Sequence, residues 1–272
     1  MYKNKKINKQ KVRIYSKNNK SKTTILFVHG FASSNMFASK LYKLKNSFNI
    51  VSIDLYNSEK PEEIDFKLMS KVAEGVLKKI RSKNIVVLGH SLGGGILSNI
   101  YDKSPNIKQI IWMATINPFM INHIVFKTLK AHHDEEGSKL LSKVSELIKS
   151  RIEKASEKSE DASPNWILKF LDKDSPWAKV MHETIFDDKF ISHLDKAYKN
   201  TVNKSLYIIG EKDGVVATKV YTKYVNQIGG SPINIGKSHN PINDNPELIN
   251  NVLNDIAEDI KGKSYLPMFK IF

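Results

Sequence analysis

Short, nearly unbroken apolar runs alternate along this chain with longer stretches in which apolar residues recur every three or four positions. "TTILFVHG" (23–30), "FNIVSIDL" (48–55), "NIVVLG" (84–89), "IKQIIWMAT" (107–115), "SLYIIG" (205–210) and "SPINIG" (231–236) have strand length and β-branched content. "KVRIYS" (11–16) is expected to be a first strand. "DFKLMSKVAEGVLKKI" (65–80) places Phe66, Met69, Val72, Val76 and Ile80 on one helical face, and helices are also expected from Gly93 to Tyr101, over 218–228 and over 246–260. Strands that are apolar throughout, with amphipathic helices between them, bury both faces of a sheet. The pattern therefore predicts an α/β, mostly parallel, doubly wound architecture.

One stretch breaks the alternation. From Pro118 to Asn203 only helical patterns occur, at 139–155, 163–171, 175–185 and 187–200. Two of them open Ser-Pro, with serine suited to the N-cap and proline to the first helical position. A helical insertion between two late strands is expected to cap the carboxyl edge of the sheet, where open α/β sheets bind ligands.

Charge changes the picture little. The formal net charge is +15, but residues 1–23 hold nine Lys/Arg and no acid, while 119–200 hold fourteen of each sign. No basic stripe with interleaved aromatics follows, so no specific nucleic-acid partner is expected. The basic N-terminus allows only a weak contact with an anionic lipid surface. The absence of cysteine excludes thiolate catalysis, disulfides and Cys-ligated metal. With neither a secretory pattern nor a long apolar span in the sequence, a cytoplasmic location is expected.

The chemistry centres on "VLGHSLGGGIL" (87–97). Gly89-His90-Ser91-Leu92-Gly93 matches G-x-S-x-G, after a strand and before a helix, which is the context of a nucleophile on a sharp turn. A serine hydroxyl needs a base, and the base needs an orienting partner. Asp213 in "LYIIGEKDGVV" and His239 in "INIGKSHNPINDNPELI" each follow a late strand, so both are expected at the same sheet edge as Ser91. Asp187, Asp188 and Asp195 are weaker substitutes for Asp213. His90 is expected to pack and His29 to shape its loop. His132-His133 with Asp134, Glu135 and Glu136 is read as a solvated face, and no metal is expected.

The motifs "VHGF", "GHSLGG", "IIGEKDGVV" and "GKSHNP", in that order, resemble the α/β-hydrolase family, and specifically its serine esterases and lipases of the monoacylglycerol-lipase-like or small carboxylesterase kind. The resemblance implies Ser91 as nucleophile, His239 as general base and then acid, and Asp213 as its orienting carboxylate. It also implies backbone N–H groups of Phe31 and Leu92 as the oxyanion hole, and Gly30, Gly89 and Gly93 as elbow and loop glycines. No cofactor is implied. The expected organisation is a basic arm with a first strand over 1–22, a core over 23–117 and 204–262, a helical cap over 118–203 and an apolar tail over 263–272. Where many relatives carry a Gly-rich loop after Asp54, this chain has "DLYNSEKPEE". Ester hydrolysis on short or medium acyl chains or monoacylglycerol-like substrates is the first functional reading. Proline-iminopeptidase-like aminopeptidase, thioesterase and non-catalytic binding roles are the alternatives, the first of which would need a cap carboxylate from Asp134, Glu135, Glu136 or Glu183.

Overall fold

A computed structural model describes residues 1–57, 59–133, 172 and 174–262. The expected helices at 139–155 and 163–171, residues Asp134 to Glu136 and the apolar tail lie outside the described residues. The strands are β1 (Tyr2–Ile7), β2 (Gln10–Lys17), β3 (Thr23–Val28), β4 (Asn49–Ile53), β5 (Asn84–His90), β6 (Ile107–Met113), β7 (Ser205–Ile209) and β8 (Pro232–Asn234). They form one sheet in the order β1-β2-β4-β3-β5-β6-β7-β8. Every pairing from β4 to β8 is parallel, and β1 and β2 are antiparallel additions at one end.

The described helices are α1 (Ser39–Tyr42), α2 (Phe66–Leu77), α3 (Gly93–Ile100), α4 (Ile124–His133), α5 (Pro176–His182), α6 (Asp188–Thr201), α7 (Thr218–Gln227), α8 (Pro241–Asp244) and α9 (Pro246–Asp259). Two apolar layers explain why the strands read as continuous runs. Ile85 and Val87 of β5 face one layer, with Phe66, Met69, Val72 and Val76 of α2, Ile96 of α3 and Tyr221 of α7. Val86 and Leu88 face the other, with Leu41 of α1 and Ile249, Leu253 and Ile256 of α9. Each such side chain removed from water contributes roughly 1.5–3 kcal/mol, so successive residues on these strands are all apolar.

The helix starts follow local chemistry. Asp65 caps α2 by accepting from Leu68 N at 2.8 Å. Ser175 caps α5 by accepting from Trp177 N, with Pro176 in the first turn, as the Ser-Pro pattern predicts. Asp187 caps α6. Among the described residues between β6 and β7 there is no strand.

The basic N-terminal residues are part of the sheet. β1 is exposed except at Ile7, and the turn to β2 is made by Asn8 and Lys9, both at positive φ. Sequence periodicity does not detect β1, since "YKNKKI" offers one buried apolar residue and no alternation. Lys17 of β2 ties the sheet to the segment after α1. Its Nζ donates to the carbonyls of Tyr42 and Leu44, both at 3.0 Å, and to Asn46 Oδ1 at 2.9 Å. Lys17→Met keeps the stem but leaves those part-buried acceptors without a donor. It is expected to destabilise the fold by about 1–3 kcal/mol, read as a lowered urea midpoint at unchanged m-value.

Candidate active site

Only Ser91 and Leu92 separate the end of β5 from the start of α3. Ser91 makes that turn with φ +55°, in the left-handed region that side chains other than glycine rarely occupy. The turn is held from three sides. Ser91 N donates to the Met113 carbonyl, and the Ser91 carbonyl accepts from Gly94 N at 3.0 Å and Ile116 N at 3.1 Å. The flanking glycines are steric requirements: a Cβ on Gly93 would sit 2.5 Å from the Val28 carbonyl oxygen, and one on Gly89 would sit 2.8 Å from that of Gly93.

Two other loops reach the same edge. Asp213 lies after β7 and His239 after β8. Asp213 Oδ1 accepts from Val215 N at 2.8 Å and Val216 N at 3.1 Å, and Oδ2 accepts from His239 Nδ1 at 2.8 Å. Burial pushes the Asp213 carboxyl up, but the imidazole and the two N–H groups outweigh it and hold it below the usual carboxylate range. Because His239 donates through Nδ1, its Nε2 carries the lone pair and can accept a proton. The ring of His239 lies 4.8 Å, centroid to centroid, from that of His90, the residue preceding Ser91. Among the described residues Ser91 Oγ makes no hydrogen bond.

The loop after β3 completes the edge. A Cβ on Gly30 would lie 2.6 Å from Ser91 Cβ, so the backbone passes directly beside the serine. Phe31 packs on Trp177 at 4.5 Å, and Leu92 is the N-cap of α3, where backbone N–H groups lack helical partners. His29 is fully buried. Its Nδ1 donates to the Gly30 carbonyl at 2.8 Å and its Nε2 accepts from Leu55 N at 3.1 Å, while burial lowers its pKa and keeps it neutral.

The segment that departs from the Gly-rich pattern supports this loop. Asp54 Oδ1 accepts from Asn35 N at 2.7 Å, and Tyr56 OH donates to the Ser33 carbonyl at 2.9 Å. The sequence carries no signal for these contacts, because Asp-Leu-Tyr reads there as an ordinary strand end.

Ser91 opens into a small cavity of about 20 Å³ lined by Phe31, Ile116, Met120, Val180, Met181 and Val216, among others. Thr184 and Ser91 are the polar side chains of the described lining.

A family model described as the alpha/beta hydrolase fold matches residues 23–238. The chain belongs to the α/β-hydrolase family. It is similar to "Putative esterase/lipase 3" of Mycoplasma genitalium, 22% identical over 213 residues, covering 76% of this chain and 74% of that protein. Its fold is similar to that of the N-acyl homoserine lactonase AidH complexed with N-butanoyl homoserine, at TM-score 0.65 and 15% identity, covering 98% and 99% of the two chains. It is also similar to the haloalkane dehalogenase DbeA from Bradyrhizobium elkani, at TM-score 0.71 and 13% identity, covering 97% and 99%. At such identities a structural likeness shows the fold, not the reaction.

Several of the other titratable candidates of this α/β hydrolase are engaged elsewhere. Glu183 accepts from Phe66 N and pairs with Lys179. Asp187 caps α6, and Asp195 accepts from Tyr224 OH and Lys199. His133 packs against His182 and Phe186. His90 is buried, as expected for a packing residue, but it also bonds: its Nε2 lies 2.7 Å from the His239 carbonyl oxygen and must donate to it.

Burial and the neighbouring His239 push the pKa of His90 down to about 3. The unfolded chain takes up this proton near pH 6.5, whereas the folded chain resists it to about 3, so stability present at neutral pH is lost as pH falls through that window. Going from pH 7 to 5, His90 alone is expected to cost on the order of 2 kcal/mol of unfolding free energy. Denaturation at the two pH values measures it, and His90→Gln, which cannot titrate, should flatten the dependence.

Proposed function

We propose that this α/β hydrolase cleaves carboxylic esters through an acyl-enzyme on Ser91. Ser91 Oγ attacks the ester carbonyl while His239 Nε2 takes its proton, and Asp213 stabilises the resulting imidazolium. The N–H groups of Phe31 and Leu92 hold the tetrahedral oxyanion. The alcohol leaves with the proton from His239. Water, deprotonated by the same imidazole, then releases the acid. The observation that carries this reading is the His239 Nδ1 to Asp213 Oδ2 bond, which leaves Nε2 free to accept a proton at the sheet edge where Ser91 makes its strained turn.

A serine at the elbow favours acyl transfer over displacement of halide, for which relatives on this fold use a carboxylate there. Of the carboxylates that an aminopeptidase would need, Glu183 is paired with Lys179 and does not line the cavity, and Asp134, Glu135 and Glu136 lie outside the described residues. A cavity of about 20 Å³ has room for roughly one water. Val180 and Met181 of α5 line this cavity, so their side chains bound the space open to an acyl group.

Purified protein is expected to hydrolyse p-nitrophenyl butyrate, with Ser91→Ala lowering kcat by roughly 10⁴–10⁶. Unchanged turnover in that variant would remove Ser91 from the reaction. On a panel of esters from two to sixteen carbons, Met181→Ala is expected to move the preferred chain length upward by raising kcat/KM for longer acyl groups. An unaltered profile would mean that the acyl group binds elsewhere.

A further inference from the structure

Between the first elbow glycine and the serine stands His90, which touches the proposed base rather than the substrate. It is buried, its ring stacked on Phe37 at 5.6 Å and 16° and tilted against His239 at 4.8 Å. Its Nε2 meets the main-chain carbonyl of His239 at 2.7 Å. A carbonyl oxygen can only accept, so Nε2 carries the hydrogen. Nδ1 is then a lone pair, and among the described residues it is buried with no hydrogen-bond partner. A buried polar atom left unsatisfied is unfavourable, and leucine or phenylalanine would pack the same space without it.

The loop carrying His239 is anchored at its other end by Asp244. Oδ2 of that carboxylate accepts from Lys237 N and Ser238 N, and Oδ1 accepts from Ser238 Oγ at 2.8 Å. Asp244 thus gathers the residues before His239. The His239 carbonyl is the point on the far side that the backbone of its own loop leaves to another element.

We propose that His90 is a positioning residue that clamps the His239 carbonyl and so fixes the imidazole between Asp213 and Ser91. This inference rests on the assignment of His239 as the base. The clamp spans the sheet edge: the last residue of β5 supplies the donor that orients the base, and the turn residue that follows it is the proposed nucleophile. The titratable groups around His90 are His239, Asp213 and His29, and burial keeps His90 uncharged beside them. It therefore adds a hydrogen bond without adding a charge that would oppose the imidazolium formed in turnover.

The test compares three substitutions with Ser91→Ala in steady-state hydrolysis of p-nitrophenyl butyrate across pH 5–9. His90→Phe keeps the ring and removes the donor. His90→Asn keeps polarity but places its amide near the Nδ1 position, out of reach of the carbonyl. His90→Gln places an amide N–H near the Nε2 position. His90→Phe and His90→Asn are expected to lower kcat by about 10–100-fold with little change in KM. The acid limb of kcat/KM should also move to lower pH as the hold of Asp213 on the imidazole loosens. His90→Gln is expected to recover most of kcat and the parent profile. A His90→Asn enzyme with parent kcat and pH profile would overturn the proposal even if the Phe variant fails to fold. Equal losses in His90→Gln and His90→Phe would overturn it too, by assigning the effect to packing. Ser91→Ala separates the two levels: if that variant retains turnover, the ester-hydrolase reading itself has failed, whatever the His90 variants do.

Discussion

At Ser91 the chain reverses from strand to helix with φ +55°, and the rest of the candidate site is arranged around that turn. The conformation lifts the hydroxyl above the sheet edge at a local cost of roughly 1–3 kcal/mol. It persists because Met113, Gly94 and Ile116 hold the peptide groups on both sides of it. It is one of several such positions. Ala32, Ala114 and Ala217, after β3, β6 and β7, also have positive φ, at 48°, 46° and 57°. Four of the seven described non-glycine residues at positive φ thus lie along the carboxyl edge of the parallel strands, where loops from four strands turn sharply to converge; Asn8, Lys9 and Lys20 lie in the turns before β2 and β3.

The parallel core was legible because burial on two faces leaves a simple trace, a run of β-branched residues with no polar interruption. β5 and β6 follow their apolar runs closely. The elbow was legible for a different reason. Steric exclusion at Gly89 and Gly93 forces a glycine spacing that survives in sequence, and Asp213 and His239 follow because each occupies the turn after a strand. What was not legible depends on contacts between segments distant in sequence. Nothing near Leu55 announces that its N–H meets His29, and nothing near His90 announces the carbonyl of residue 239. β1 leaves no trace in the sequence because an edge strand exposed along nearly its whole length has no hydrophobic period to display.

Two buried histidines flank the serine loop and neither is an acid or base in the proposed reaction. His29 joins the loop after β3 to the strand end of β4, and His90 joins β5 to the loop after β8. Both serve as neutral polar spacers, for which imidazole offers a rigid ring of short reach. The proposed base is the third histidine, distinguished from them by a carboxylate on Nδ1 and by partial exposure of its side chain. Residue type alone does not separate these roles, whereas the partner on each ring nitrogen does.

The outermost strand has a consequence beyond the site. β1 presents Lys3, Lys5 and Lys6 to solvent along an open sheet margin whose backbone would otherwise template another strand. A second copy approaching that margin brings the same cations into register with them. Like charges at strand spacing repel, so the lysines act as a bumper that discourages the sheet from extending into a neighbour.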